Sequence, residues 1–106
     1  MTINEYQIEA LRTAGEADIV NGVLGLCGES GECADIIKKH KFQGHELDKR
    51  HLAKELGDVA WYLAVSAYAI GYDLESIMMM NVDKLKKRYP DGFSPKLSQH
   101  RKEDDI

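Results

Sequence analysis

An all-α fold, most simply a four-helix bundle-like arrangement, is what this chain predicts, and three observations carry the prediction. Apolar residues recur at three- and four-residue steps in four successive segments. No segment alternates with the two-residue period of a strand over a useful length. Glycine, aspartate and proline fall between the segments, where helices start and stop.

The first segment, about Asn4 to Thr13, has Tyr6, Ile8 and Leu11 as its apolar contacts and stops near Gly15. The second, about Ala17 to His40, carries Ile19, Val20, Val23, Leu24, Leu26, Ile36 and Ile37. Its glycines at 22, 25, 28 and 31 weaken its helicity; so many small residues near two acids either let another helix approach closely or leave room for a ligand, with packing the expected cause. A turn-bearing loop, 40–48, follows, with Asp48 as the cap of a third helix from about Lys49 to Ile70. From Val59 to Ile70 that helix is apolar almost all round, so it should be the most buried element. Gly71-Tyr72-Asp73 makes the next turn, with Asp73 as cap, and a fourth helix runs from about Leu74 to Tyr89, where Pro90-Asp91-Gly92 ends it. Residues 93–106 read as a polar tail, extended along the surface or disordered at its end.

With 106 residues, 43% of them hydrophobic, the chain suits one compact domain, 1–106, and is short for two independent cores. No apolar stretch approaches the roughly 20 residues needed to span a bilayer, and the N-terminus has no signal-peptide pattern, so no membrane role and a cytoplasmic location are expected. A net charge of -4 argues against polymeric nucleic acid as a partner. Cys27 and Cys33 lie roughly 120° apart around a helix, which disfavours a disulfide and leaves them as small buried apolar residues. Met79 and Met80 fall off the apolar stripe of the fourth helix, where they suit either a subunit interface or scattered exposure.

Four carboxylates break this pattern. Glu29 and Glu32 in GESGEC, and Glu55 and Asp58 in KELGDVAWYL, form two i, i+3 pairs. At 100° per residue Glu29 lies on the stripe of Leu26, Cys33 and Ile36, with Glu32 roughly 60° to its side. Glu55 lies beside Val59 and Tyr62, with Asp58 roughly 60° away. Unpaired buried carboxylates cost several kcal/mol each, and few cations share these faces. One such pair is commonly solvated; two on the apolar sides of successive helices point to a bound metal ion. No Glu precedes a His by three residues, so the di-iron pattern is missing, and His40, His45 and His51 suit solvated or capping roles. An all-oxygen donor set favours Mg²⁺ or Mn²⁺.

The fourth helix repeats the anomaly with opposite charge. Asn81 falls in the middle of the Leu74, Val82, Leu85 stripe, with Arg88 roughly 20° and Lys84 roughly 60° from it. An amide and two cations on one flank suit phosphate oxygens, although Lys84 and Arg88 also suit the C-terminal end of a helix dipole.

Taken in order, Glu29-x-x-Glu32, Glu55-x-x-Asp58 and Asn81-x-x-Lys84-x-x-x-Arg88 resemble the MazG-like all-α nucleoside triphosphate pyrophosphohydrolases. The resemblance extends from NEYQ through LGLCGESGE and KELGDVAWYLA to NVDKLKKRYPDGFS. It implies Mg²⁺-dependent cleavage of an NTP or dNTP between the α and β phosphates, giving the monophosphate and pyrophosphate. House-cleaning of non-standard or excess dNTPs is one form such an activity takes. It implies metal ligation by Glu29, Glu32, Glu55 and Asp58 and triphosphate contact by Asn81, Lys84 and Arg88. Glu32 is the preferred base, with Glu55 also placed in the catalytic set. A single short unit implies a homodimer or a homotetramer built as a dimer of dimers.

Two other readings compete. One is a non-catalytic, metal-dependent nucleotide-binding or sensor module; the other is a structural helical dimer whose acids are salt-bridged across an interface. Trp61, Tyr62, Tyr68 and Phe42 are candidates for stacking on a base, although aromatics on a buried helix are usually core.

Overall fold

Five helices and no strand make up the computed structural model of the chain, which describes residues 1–106: α1 (Ile3–Leu11), α2 (Ile19–Phe42), α3 (Lys49–Ala69), α4 (Leu74–Arg88) and α5 (Pro95–Gln99). The first four fall where apolar periodicity places them. Their ends shift by a residue or two because caps, more than periodicity, decide where a helix begins. Thr2 and Glu5 form a reciprocal capping box on α1. Asp18 Oδ1 accepts from the N–H groups of Val20 and Asn21, which starts α2 at Ile19 instead of Ala17. Asp48 caps α3 as expected, accepting from the His51 N–H.

The chain forms two compact units, Met1–Leu74 and Glu75–Ile106. In the first, α2 and α3 are joined by a short loop and pack along their length, and α1 packs on α3. The core is small: Ala10, Ala64 and Leu74, with Tyr6, Trp61 and Leu63 at its margin. Ala64, Val65, Ser66 and Ala67 are all buried, so α3 holds the central position its composition predicts. Many apolar side chains remain outside, among them Ile8, Val20, Leu24 and Leu56.

A buried amide organises this core. Gln7 donates Nε2 to the carbonyls of Ala64 (3.1 Å) and Tyr72 (3.2 Å), and its Oε1 accepts from the Leu74 N–H (3.0 Å). One side chain of α1 thus satisfies polar groups on α3, on the following turn and at the start of α4. That turn is closed by Tyr72 N–H donating to the Ala67 carbonyl, with Gly71 at φ 84°, a region that disfavours side chains. Trp61 adds a second tie by donating Nε1 to Ala10 O and Thr13 Oγ1.

The α2 glycines divide into two kinds. A Cβ on Gly22 would meet the Ser66 side chain, and one on Gly25 would collide with the Tyr62 ring, so these two allow α2 to lie close to α3. Gly28 and Gly31 have nothing near them, which corrects the expectation that packing explains all four. The closeness also has a cost: Ser66 Oγ is buried without a hydrogen-bond partner.

The second unit holds α4 and α5. The tail is not simply extended, because Ser94 caps a short helix with Pro95 at its first position, a start signal that a purely compositional reading passes over. Asn81, expected in mid-stripe, is exposed, and so are Val82 and Leu85 beside it. Met79 and Met80 are exposed as well. Cys27 is exposed and Cys33 half-buried, both as free thiols, so neither is the fully buried residue expected.

The two kinds of glycine predict opposite effects of one substitution. Gly28→Ala should stabilise by roughly 0.5–1 kcal/mol through helix propensity alone. Gly25→Ala gains the same term but must displace a ring held edge-on against Trp61, an overpacking cost of roughly 1–3 kcal/mol, for a net loss of up to about 2 kcal/mol. Thermal unfolding of the two variants measures both signs.

Candidate metal centre

The close contacts of Gly22 with Ser66 and Gly25 with Tyr62 make α2 and α3 antiparallel and set their register. Four residues beyond Gly25 on α2 comes Glu29; four and seven residues before Tyr62 on α3 come Asp58 and Glu55. Steps of about one turn for Glu29 and Asp58 and about two for Glu55 keep each acid on the face its glycine or tyrosine occupies. The carboxylates of Glu29, Glu55 and Asp58 accordingly meet, with one ligand atom from each lying within 4.8 Å of the others.

This cluster is half-exposed, not buried as the helical-wheel reading had it. Glu29 and Glu55 are partly covered and Asp58 is exposed, because the site lies beyond the core-forming stretch of α3, where the adjoining glycines leave the surface open. Glu32 stands apart: it is exposed and outside the three-carboxylate group, although its charge still acts on Glu29.

The electrostatics are those of crowded like charges. The Glu29 carboxyl is held above its ordinary value, first by a hydrogen bond with Glu55, then by partial burial and the charges of Asp58, Glu55 and Glu32. No lysine or arginine forms an ion pair with Glu29, Glu55 or Asp58. The nearby lysines on α2, Lys38 and Lys39, are engaged by Asp35 at 3.2 and 2.9 Å, which holds that carboxyl below its usual range. The one basic group touching the cluster is His51, whose Nε2 lies 3.3 Å from Glu55 Oε1. His51 was expected to be solvated or capping; its backbone does join the cap, but its ring reaches one turn along α3 to Glu55. The i, i+4 spacing of His51 and Glu55 was the available signal. Tyr6 is a second neighbour that periodicity did not reveal: burial first, then the Asp58 charge, raises its phenol.

Three hard oxygen donors with partial burial and no compensating cation suit a divalent metal ion. The donor set fits such an ion on its own chemistry.

The other residues singled out by sequence are in the second unit. Arg88, at the end of α4, is paired with Asp105 through two 2.8 Å hydrogen bonds; Lys84 is half-buried and Asn81 exposed. The aromatic candidates also separate. Trp61 is committed to Ala10 and Thr13, and Tyr62 lies against Gly25 and edge-on to Trp61, so both are structural. Tyr68 and Phe42 are exposed, and Phe42 ends α2 instead of lying in the loop.

The fold and this cluster define a class: an all-α protein with carboxylates from two antiparallel helices converging on a site suited to a divalent metal ion. Residues 21–93 match the MazG nucleotide pyrophosphohydrolase domain, a stretch that contains all four acids together with Asn81, Lys84 and Arg88. The chain is also 33% identical over 105 residues to the "Gene 37 protein" of Mycobacterium phage L5, covering 87% of this chain and 92% of the phage protein. No solved structure matches it. The chain therefore belongs to the MazG nucleotide pyrophosphohydrolase family. None of its helices is long and apolar enough to cross a membrane.

The raised Glu29 carboxyl gives a signed pH effect in metal-free protein. The folded state binds this proton more readily than the unfolded chain, so the stabilisation is present below the ordinary value of 4.5 and is lost as pH rises through the raised folded value. The melting temperature in chelator should fall as pH rises through that window, and Glu29→Gln should flatten the dependence. A pH series of melting curves on both proteins measures it.

Proposed function

We propose that this chain is a Mg²⁺- or Mn²⁺-dependent nucleoside triphosphate pyrophosphohydrolase, adding water across the α–β anhydride of an NTP or dNTP to release the monophosphate and pyrophosphate. The observation that carries the reading is the convergence of Glu29, Glu55 and Asp58 within 4.8 Å, inside the stretch that matches the family. The all-oxygen donor set favours Mg²⁺ or Mn²⁺ over softer ions. A divalent cation held by these acids would neutralise phosphate charge and polarise the anhydride.

The chain's own residues supply the rest. Glu55 lies between the Glu29 carboxylate and His51, whose Nε2 is 3.3 Å from its Oε1. Glu32, exposed and outside the three-acid group, keeps a carboxylate free to orient the attacking water and accept its proton. Asn81, Lys84 and Arg88 are assigned to the triphosphate, as an amide and two cations suit its oxygens. Exposed apolar side chains on the first unit, Val20 and Leu24 among them, support assembly as a homodimer or dimer of dimers. House-cleaning of non-standard nucleotides is the role we assign to this activity.

Pyrophosphate release from a panel of canonical and modified nucleotides tests the reading and separates an enzyme from a metal-dependent binder. Turnover should require Mg²⁺ or Mn²⁺, and either ion should raise the melting temperature; full activity in excess chelator would overturn the assignment. Glu55→Gln should lower kcat by about 100-fold or more in a folded protein. Asn81→Ala and Lys84→Ala should each lower kcat/KM by roughly 5- to 150-fold with little change in melting temperature.

A further inference from the structure

In the second unit the chain turns back after α5 and brings Asp105 to the end of α4. Arg88 donates Nε to Asp105 Oδ2 and Nη2 to Oδ1, both at 2.8 Å, the parallel fork by which a guanidinium holds an oxyanion. The pair is largely covered, with 13% and 17% of the two side chains exposed. A second guanidinium lies on the same residue: Arg101 donates Nη2 to the Asp105 backbone carbonyl at 2.8 Å, and its Nε forms a looser ion pair with Oδ2 at 3.7 Å. Beside them is a cavity of about 890 Å³, lined by further cations, Lys84, Lys87 and Lys102, and by the acids Asp83, Asp91 and Asp104. Asp105 is thus held as a bound anion would be.

We propose that Arg88 and Arg101 form a paired-guanidinium oxyanion site that takes polyphosphate, and that Asp105 fills it as an internal competitor until the tail lifts. The carboxylate and a phosphate present the same two-oxygen edge to a guanidinium fork, so they exclude each other at Arg88. Displacing Asp105 also removes negative charge from the cavity wall and leaves Lys84, Lys87 and Lys102 to face the incoming phosphates. That the oxyanion is the phosphate chain of a nucleotide rests on the function proposed above; that the site is built for an oxyanion rests on this geometry alone.

The test uses the full chain and inorganic tripolyphosphate, with binding measured by calorimetry and turnover measured separately. Asp105→Asn, which keeps the shape of the side chain but drops its charge, should tighten tripolyphosphate binding by about three- to tenfold, and Arg101→Ala should weaken it by a similar factor. The gain from Asp105→Asn should vanish when Arg88 is alanine. In the wild-type chain tripolyphosphate should speed hydrogen exchange at the Asp105 amide, which donates to the Lys102 carbonyl, since the ligand frees the tail. Were Asp105 only a structural tie, Asp105→Asn would lower the melting temperature and leave binding unchanged or weaker, and tripolyphosphate would not speed that exchange; that result overturns the proposal. Tighter binding in Asp105→Asn without nucleotide turnover in any variant would support the oxyanion site and overturn the hydrolase reading instead.

Discussion

The close approach of α2 to α3 is the constraint on which the first unit depends. It exists because positions 22 and 25 carry no side chain, so Ser66 and the Tyr62 ring can occupy the space a Cβ would take. Helix propensity argues against glycine there, and the intrinsic loss is roughly 1 kcal/mol per position. The return is geometric: two helices held at a fixed register carry Glu29 to Glu55 and Asp58. Like charges would otherwise settle farther apart; held together, they raise the Glu29 carboxyl, through contact with Glu55 first and then through partial burial and the charges around it. Fold and site here share one cause.

That arrangement separates two jobs along α3. Its C-terminal half, Ala64 to Ala67, is small and, apart from Ser66, apolar, and is buried in the core; its N-terminal half bears Glu55 and Asp58 on a surface the core does not cover. Trp61 and Tyr62 stand between the halves, one tied to α1 and the other seated on α2. They fix the register that brings the acids together. An aromatic pair beside an acidic cluster invites a reading as a base-stacking platform, yet here its hydrogen bonds and close contacts are spent on the scaffold.

Much of this was legible in the sequence because it is written locally. Caps at Asp48 and apolar steps along each helix lie within a few residues of what they determine, and so do the i, i+3 acids. Burial was harder to read, since an apolar stripe shows which face seeks cover but not whether the chain supplies it. Asn81 was placed in a stripe whose neighbours Val82 and Leu85 are themselves exposed, and Glu29 and Glu55 came out half-covered for the same reason. The pairing of Arg88 with Asp105 joins residues 17 positions apart through a tail with no periodic pattern, so nothing local announces it. Gly28 and Gly31 look identical to Gly22 and Gly25 in the sequence; only the opposing helix tells them apart.

Gln7 has a consequence for how the molecule assembles in time. Its three hydrogen bonds reach across 57, 65 and 67 positions of chain, whereas the α2–α3 pair is closed by a short loop. Loop-closure entropy favours the nearer pairing, so the helical hairpin forms early and α1 docks onto it late. During synthesis α1 emerges before its partners and must then wait, with the Gln7 amide solvated, until Leu74 has been added. Amides in α1 should exchange with solvent more readily than those in the middle of α3, and slowing that late docking step would lengthen the interval in which the apolar face of α3 stays uncovered.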